Sequence, residues 1–209
     1  MLTTRGDNTF IVPGGSTPQL FFQYLAEKVT DWTGVTIIPS DERLVEETSP
    51  ECNYNMIKVN LIRHIYNKDK PMIFSFLDGN NVFGSDQNYL SLKVKLTQMM
   101  PPKAAFLGIG RDGHTASLFP GKEKLNFTSE PTILIKRDKE SFHRVSLSTT
   151  FLANTPRLIF LVSGEKKRPV MKKIFNNNNN VDYLPIMQVI KKSSGSVTMF
   201  CDQDASPYD

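Results

Sequence analysis

Short apolar runs, at Thr9–Val12, Val35–Ile38, Ala104–Ile109 and Leu158–Val162, alternate along this chain with stretches whose apolar residues recur at helical spacing, as Leu20, Phe21, Tyr24 and Leu25 do. Runs of that length bounded by turn residues read as strands buried on both faces, and the spaced stretches read as amphipathic helices. A parallel strand pair needs a crossover long enough to hold a helix, so the alternation predicts α/β architecture. The expected form is a Rossmann-like, layered α/β/α domain with a mostly parallel central sheet.

Further strands are expected at Met72–Leu77, Thr132–Ile135, Val145–Leu147 and Val197–Cys201, and helices over Asn53–Ile65, Tyr89–Met99 and Lys166–Phe175. Thr17 and Pro18 fit the N-cap and first turn of the first helix. Two segments carry little information: the asparagine run Asn176–Asn180, read as a surface insertion, and Asp78–Gln87, read as a loop.

At 209 residues and 39% hydrophobic content, the chain suits one domain, 1–209, with a full core. The net charge of +4 is spread along the sequence. It suits a solvated surface without functional meaning or, on the sharper reading, a weak attraction for small anions such as phosphorylated metabolites. No basic run is interleaved with aromatics, which excludes a nucleic-acid reading. No stretch approaches the roughly 20 apolar residues of a membrane helix. Met1–Asp7 lacks a basic segment leading into an apolar run, so no secretory signal is read there. Cys52 and Cys201 have no Cys or His close by, which argues against a disulfide framework or structural zinc and fits a reducing cytosol.

In a parallel α/β sheet, ligands bind in the loops beyond the carboxyl ends of the strands. Three segments fall at such ends: Gly14-Gly15-Ser16-Thr17, Asp41-Glu42-Arg43 and Gly110-Arg111-Asp112-Gly113-His114. The first suits phosphate, because glycines let backbone amides approach an anion at a helix N-terminus and Ser16 and Thr17 add hydroxyls. A tight turn with a capped helix is the plainer reading of that loop. In the second, Asp41 and Glu42 fit a solvated turn, whereas Arg43 is a fixed cation able to stabilise an oxyanion.

The third segment carries a misleading pattern. Gly108 to Gly113 matches GxGxxG after a strand, and Glu130 follows at the distance of a ribose-binding acid. The match lies in mid-chain and Glu130 sits beside Pro131, so dinucleotide binding is set aside. His114 makes better use of the loop, since an imidazole can take a proton from water near neutral pH and return it to a leaving oxygen. Asp112 would orient it. His64 and His143 have no comparable setting.

From Gly108 to Pro120 the chain reads Gly-Ile-Gly-Arg-Asp-Gly-His-Thr-Ala-Ser-Leu-Phe-Pro. This closely resembles the signature of the 6-phosphogluconolactonases, which share a superfamily with the glucosamine-6-phosphate deaminases. Gly14–Pro18, Ser40–Arg43, Arg144 with Ser146, Gly164–Lys167, Leu184-Pro185 and Asp202–Ala205 agree in order along nearly the whole chain. The resemblance implies hydrolysis of 6-phosphogluconolactone without metal or cofactor. It makes His114 the general base, Arg43 the oxyanion partner, and Gly14–Thr17, Asp41, Arg144 and Lys167 the substrate and phosphate ligands. Lys166 is the alternative to Lys167, because the register of Lys166-Lys167-Arg168 is ambiguous. Without the resemblance, Arg144 and both lysines would read as surface charges.

Deaminases resemble this loop but carry a glutamate five residues after the histidine, where this chain has Phe119, and a tyrosine where it has Arg43. Both differences favour ester hydrolysis. A non-catalytic sugar-phosphate-binding module is the remaining alternative. The family usually has a helix before the first strand that this sequence lacks, so the chain reads as trimmed at its N-terminus or as one module of a longer polypeptide. Fusion to, or association with, glucose-6-phosphate dehydrogenase would fit, as occurs for this domain in some unicellular parasites.

Overall fold

The computed structural model describes residues 8–66, 68–77, 86–99, 101–121, 128–136, 142–176 and 181–208. Six strands form one all-parallel sheet: β1 (Thr9–Val12), β2 (Thr36–Pro39), β4 (Met72–Ile73), β5 (Ala104–Gly108), β8 (Arg157–Val162) and β9 (Ser196–Cys201), in the order β4-β2-β1-β5-β8-β9. From β1 the sheet grows to β2 on one side and to β5 on the other, with Phe10 beside Ile37 and Ala104. That reversal of direction opens a crevice at the carboxyl ends of the central strands. A second, antiparallel sheet is made of β3 (Asp41–Arg43), β7 (Arg144–Leu147) and β6 (Thr132–Ile135), with β7 in the middle.

Period-two side-chain alternation explains why helices cover both faces of the parallel sheet. Val12 and Ile37 point into one apolar cluster with Phe22 and Ala26 of α1 (Gln19–Lys28) and Ile57 of α2 (Asn53–Asn60). Their neighbours Ile11 and Ile38 point into the other, larger cluster. Leu92 and Leu96 of α3 (Asp86–Thr97) and Phe151 of α4 (Thr149–Ala153) enter that cluster too. So do Val170 of α5 (Arg168–Phe175), Val189 of α6 (Pro185–Lys192), and Val145 and Leu147 of the small sheet. The small sheet is thereby fastened to the main core, and each fully buried Phe or Ile contributes on the order of 1.5–3 kcal/mol.

Several expectations are refined by local chemistry. Thr17 does not cap α1: Pro18 is the cap residue, in a helical conformation and without a side-chain cap bond. The helix expected over Asn53–Ile65 ends at Asn60, whose Nδ2 donates to the Met56 carbonyl, and continues as a 3-10 turn at Ile62–His64. Only Met72–Ile73 of Met72–Leu77 is laddered, because the Ser75 hydroxyl closes a turn on Leu77. Asp41–Arg43, expected as a loop, is a strand whose Asp41 and Glu42 are buried rather than solvated. Helices α4 and α6 were not foreseen. Asn177–Asn180 of the asparagine run and 78–85 of the expected loop lie outside the described residues.

Candidate active site

Strands β2, β1, β5 and β8 are parallel neighbours, so the segments leaving their carboxyl ends emerge on one rim. There they enclose a cleft of about 530 Å³. It is lined by Gly14, Gly15, Ser16 and Thr17 after β1, Asp41 and Arg43 after β2, Asp112 and His114 after β5, Lys167 after β8, and Arg144 from β7. These are the residues singled out from sequence, now in one place. Of the two candidate lysines, Lys167 lines the cleft and Lys166 does not. Arg111 and Asn53, which the sequence reading did not nominate, line it as well. Arg111 sat inside the quoted motif; Asn53 had only its place at the start of an expected helix to mark it.

The turn after β5 is built around the imidazole. A Cβ on Gly110 would lie 2.0 Å from His114 Nδ1, so only glycine leaves room for the ring. Gly113 adopts φ +82°, which glycine tolerates freely. Gly110 N–H donates to the His114 carbonyl at 2.7 Å, and the Thr115 hydroxyl donates to the Gly108 carbonyl at 2.9 Å. Ala116, next in the cleft wall, has φ +50°. A side chain held there costs on the order of 1–3 kcal/mol, a strain that recurs where loops are shaped for function. The chain then turns through the Thr115–Leu118 bridge rather than opening a helix, so the GxGxxG match lacks the helix N-terminus that a pyrophosphate needs.

His114 Nδ1 lies 2.6 Å from Asp112 Oδ1. That hydrogen bond holds the Asp112 carboxyl down at about 2, below its ordinary range, so it is ionised at neutral pH. An Nδ1–H donated to Asp112 leaves Nε2 as the basic nitrogen. The Phe119 ring packs on the imidazole with centroids 4.8 Å apart, and the Arg144 guanidinium lies 5.8 Å from the same phenyl ring.

Arg43 and Arg144 are register partners across β3 and β7. Like charges directly opposite one another in a sheet repel, and an anion between them relieves the repulsion. Arg43 Nη1 donates to Asn53 Oδ1 at 2.8 Å and to the Glu51 carbonyl at 3.0 Å. Its buried Nε has no hydrogen-bond partner among the described residues. Lys167 Nζ donates to the Ile109 carbonyl at 2.5 Å, and burial followed by the nearby Arg111 lowers its pKa. Asp41 is held by the hydroxyls of Ser117, at 2.5 Å, and Ser40, at 3.0 Å. Four cations against the two carboxylates Asp41 and Asp112 make the lining net positive. Among the described residues, no group of His, Cys, Asp and Glu could hold a metal ion.

Glu42 points away from the cleft. It is fully buried, and its carboxylate accepts from the backbone N–H groups of Arg43, Asn53 and Tyr54. Burial pushes its carboxyl from 4.5 up to about 7 against those three donors. Raising an acid's pKa on folding gives stability that is full below pH 4.5 and lost as pH rises through about 7. The contribution is at most about 3–4 kcal/mol, at about 1.4 kcal/mol per unit. Urea midpoints should therefore fall across this window in the native protein and fall less in Glu42→Gln; equal slopes would assign the pH dependence to other groups.

The chain matches the family of glucosamine-6-phosphate isomerases and 6-phosphogluconolactonases over residues 1–199. A 6-phosphogluconolactonase of Xylella fastidiosa is 28% identical over 197 residues, covering 90% of this chain and 80% of that protein. The crystal structure of a 6-phosphogluconolactonase from Shewanella baltica superposes with a TM-score of 0.78 at 25% identity, over 94% of this chain and 84% of that one. A monomeric glucosamine-6-phosphate deaminase reaches the same TM-score at 16% identity, over 97% and 88% of the two chains, which shows a shared fold. Matched by that family's model over residues 1–199, nearly its whole length, the chain belongs to the glucosamine-6-phosphate isomerase/6-phosphogluconolactonase family.

Proposed function

We propose that this protein hydrolyses 6-phospho-D-glucono-1,5-lactone to 6-phosphogluconate, the ester hydrolysis of the oxidative pentose phosphate pathway. The observation that carries the reading is a histidine paired with an ionised aspartate in the same cleft as two opposed arginines. His114 Nε2 takes a proton from water as the water oxygen bonds to the lactone carbonyl carbon. Arg43 stabilises the tetrahedral oxyanion, and Asp112 stabilises the imidazolium formed alongside it. Collapse breaks the bond to the ring oxygen, which receives the proton from His114. The acid so formed ionises, and the released proton is the signal to measure. Gly14–Thr17, Arg144 and Lys167 bind the phosphate, and Asp41 accepts from a sugar hydroxyl.

Within the family, Phe119 favours the lactonase over the deaminase. Its ring lies against His114, so the position that carries a relaying glutamate in deaminases holds no proton acceptor here. Acid release from freshly generated lactone should exceed the spontaneous rate, and ammonia release from glucosamine 6-phosphate should be absent. Binding of 6-phosphogluconate without rate enhancement would instead make the protein a sugar-phosphate-binding module. The proposal extends to a cytosolic setting and to fusion or association with glucose-6-phosphate dehydrogenase, whose product is this lactone. The mass of the native polypeptide in its source cells decides the fusion.

A further inference from the structure

Asn53, the first residue of α2, is only 1% exposed although it lines the cleft. Its backbone N–H and both polar atoms of its side chain bond to the site's framework. Its backbone N–H donates to Glu42 Oε1 at 2.7 Å, and its Nδ2 donates to the Asp41 carbonyl at 2.8 Å. Its Oδ1 accepts from Arg43 Nη1 at 2.8 Å. A guanidinium can only donate and a backbone carbonyl can only accept, so these partners determine which way the amide faces. On its other side the amide presses on the turn after β1: a Cβ built on Gly14 would lie 2.2 Å from Asn53 Oδ1 and 2.4 Å from Nδ2. Gly14 is outside the left-handed region that Gly15 occupies, so glycine is needed there for space rather than for conformation.

We propose that Asn53 is a positioning residue that locks Arg43 to the Gly14–Thr17 turn, setting the distance between the oxyanion site and the anion-binding loop. The proposal rests on the lactonase reading. Arg43 needs such a tether because its register partner is another arginine and its remaining anchors lie on Glu51, whose carboxylate is 3.9 Å from Nε. Without the amide, the guanidinium is drawn toward Glu51 and away from the lactone carbonyl. Aspartate cannot replace asparagine fully, because an acceptor would then face the Asp41 carbonyl; leucine fills the space but bonds neither partner.

The test is a set of double-mutant cycles read as kcat and KM for lactone hydrolysis. Misplacing a reacting group by about 1 Å can cost about 10²-fold. On that scale Asn53→Ala and Gly14→Ala should each lower kcat/KM about 10- to 100-fold, the first mainly through kcat. In an Arg43→Gln enzyme, Asn53→Ala should change kcat less than about twofold, because the group it positions is gone. In an Asn53→Ala enzyme, Gly14→Ala should likewise cost less than about threefold, because its methyl no longer meets the amide. Independent, multiplicative losses in both cycles would overturn the proposal and leave Asn53 a structural residue only. Should Asn53→Ala fail to fold, Gly14→Ala is read in native and Arg43→Gln backgrounds. A loss that shrinks in the second supports the coupling, and an equal loss rejects it. Native turnover no faster than spontaneous hydrolysis would remove the lactonase reading itself, and this role with it, a result distinct from additive cycles in an active enzyme.

Discussion

His114→Ala is expected to lower kcat for lactone hydrolysis by about 10²- to 10⁴-fold, the usual worth of a positioned general base, with little change in KM. Two features of the structure place the loss in kcat. The imidazole is oriented by a short bond to Asp112 and a phenyl ring on its face, so it is committed to proton transfer rather than to gripping substrate. The cations that would hold the phosphate lie on other segments, namely Arg144 on β7 and Lys167 after β8. Asp112→Asn should reproduce part of the loss, because an amide can still accept from Nδ1–H but carries no charge to stabilise the imidazolium. Stopped-flow or pH-stat measurement of acid release above the spontaneous background checks both variants. Native-like turnover in His114→Ala would remove the imidazole from the mechanism.

The second large effect is expected at Arg43. Replacing it with glutamine should reduce kcat by about 10²–10³-fold, the range seen when one oxyanion donor is removed. Arg43→Lys should recover little of that loss. The guanidinium uses Nη1 to hold both Asn53 Oδ1 and the Glu51 carbonyl and buries Nε beside Glu51, which leaves Nη2 for the reaction. An ammonium is a single point with no such division of labour. The stability of the two variants should stay close to that of the parent, because Arg43 is partly exposed and its pairing with Glu51 is a surface one. A loss of activity that tracks a loss of urea stability would mean that Arg43 acts as a strut.

Much of this site was legible before any coordinates. The turn from Gly108 to His114 is a local structure, and its glycines, its histidine and the preceding strand are close together in sequence. The loop after β1 was equally plain, since two glycines and two hydroxyl residues lie between a strand and a helix. Asp41–Glu42–Arg43 was harder. As a sequence it is an acidic turn; as a structure it is a strand, because β7 pairs with it in antiparallel register. Asp41 and Glu42 then lose water and must find donors, from Ser117 and Ser40 for one and from α2's first amides for the other. Asn53 was passed over for the same reason, since nothing in its immediate neighbours shows that it faces a cleft made by segments far away in the chain. Arg111 lay inside the nominated turn, but no local pattern shows that its side chain lines the cleft.

The amino-acid order alone determined the alternation of strand and helix, the parallel arrangement, and the turns that carry His114 and the Gly14 loop. Those properties depend on side-chain period and on backbone freedom within a few residues. Tertiary structure decided that Arg43 faces Arg144, that Lys167 rather than Lys166 enters the cleft, and that Glu42 is buried with a pKa near 7. Each of these follows from contacts between distant segments, where burial, register and shared hydrogen bonds act together and no local pattern records them.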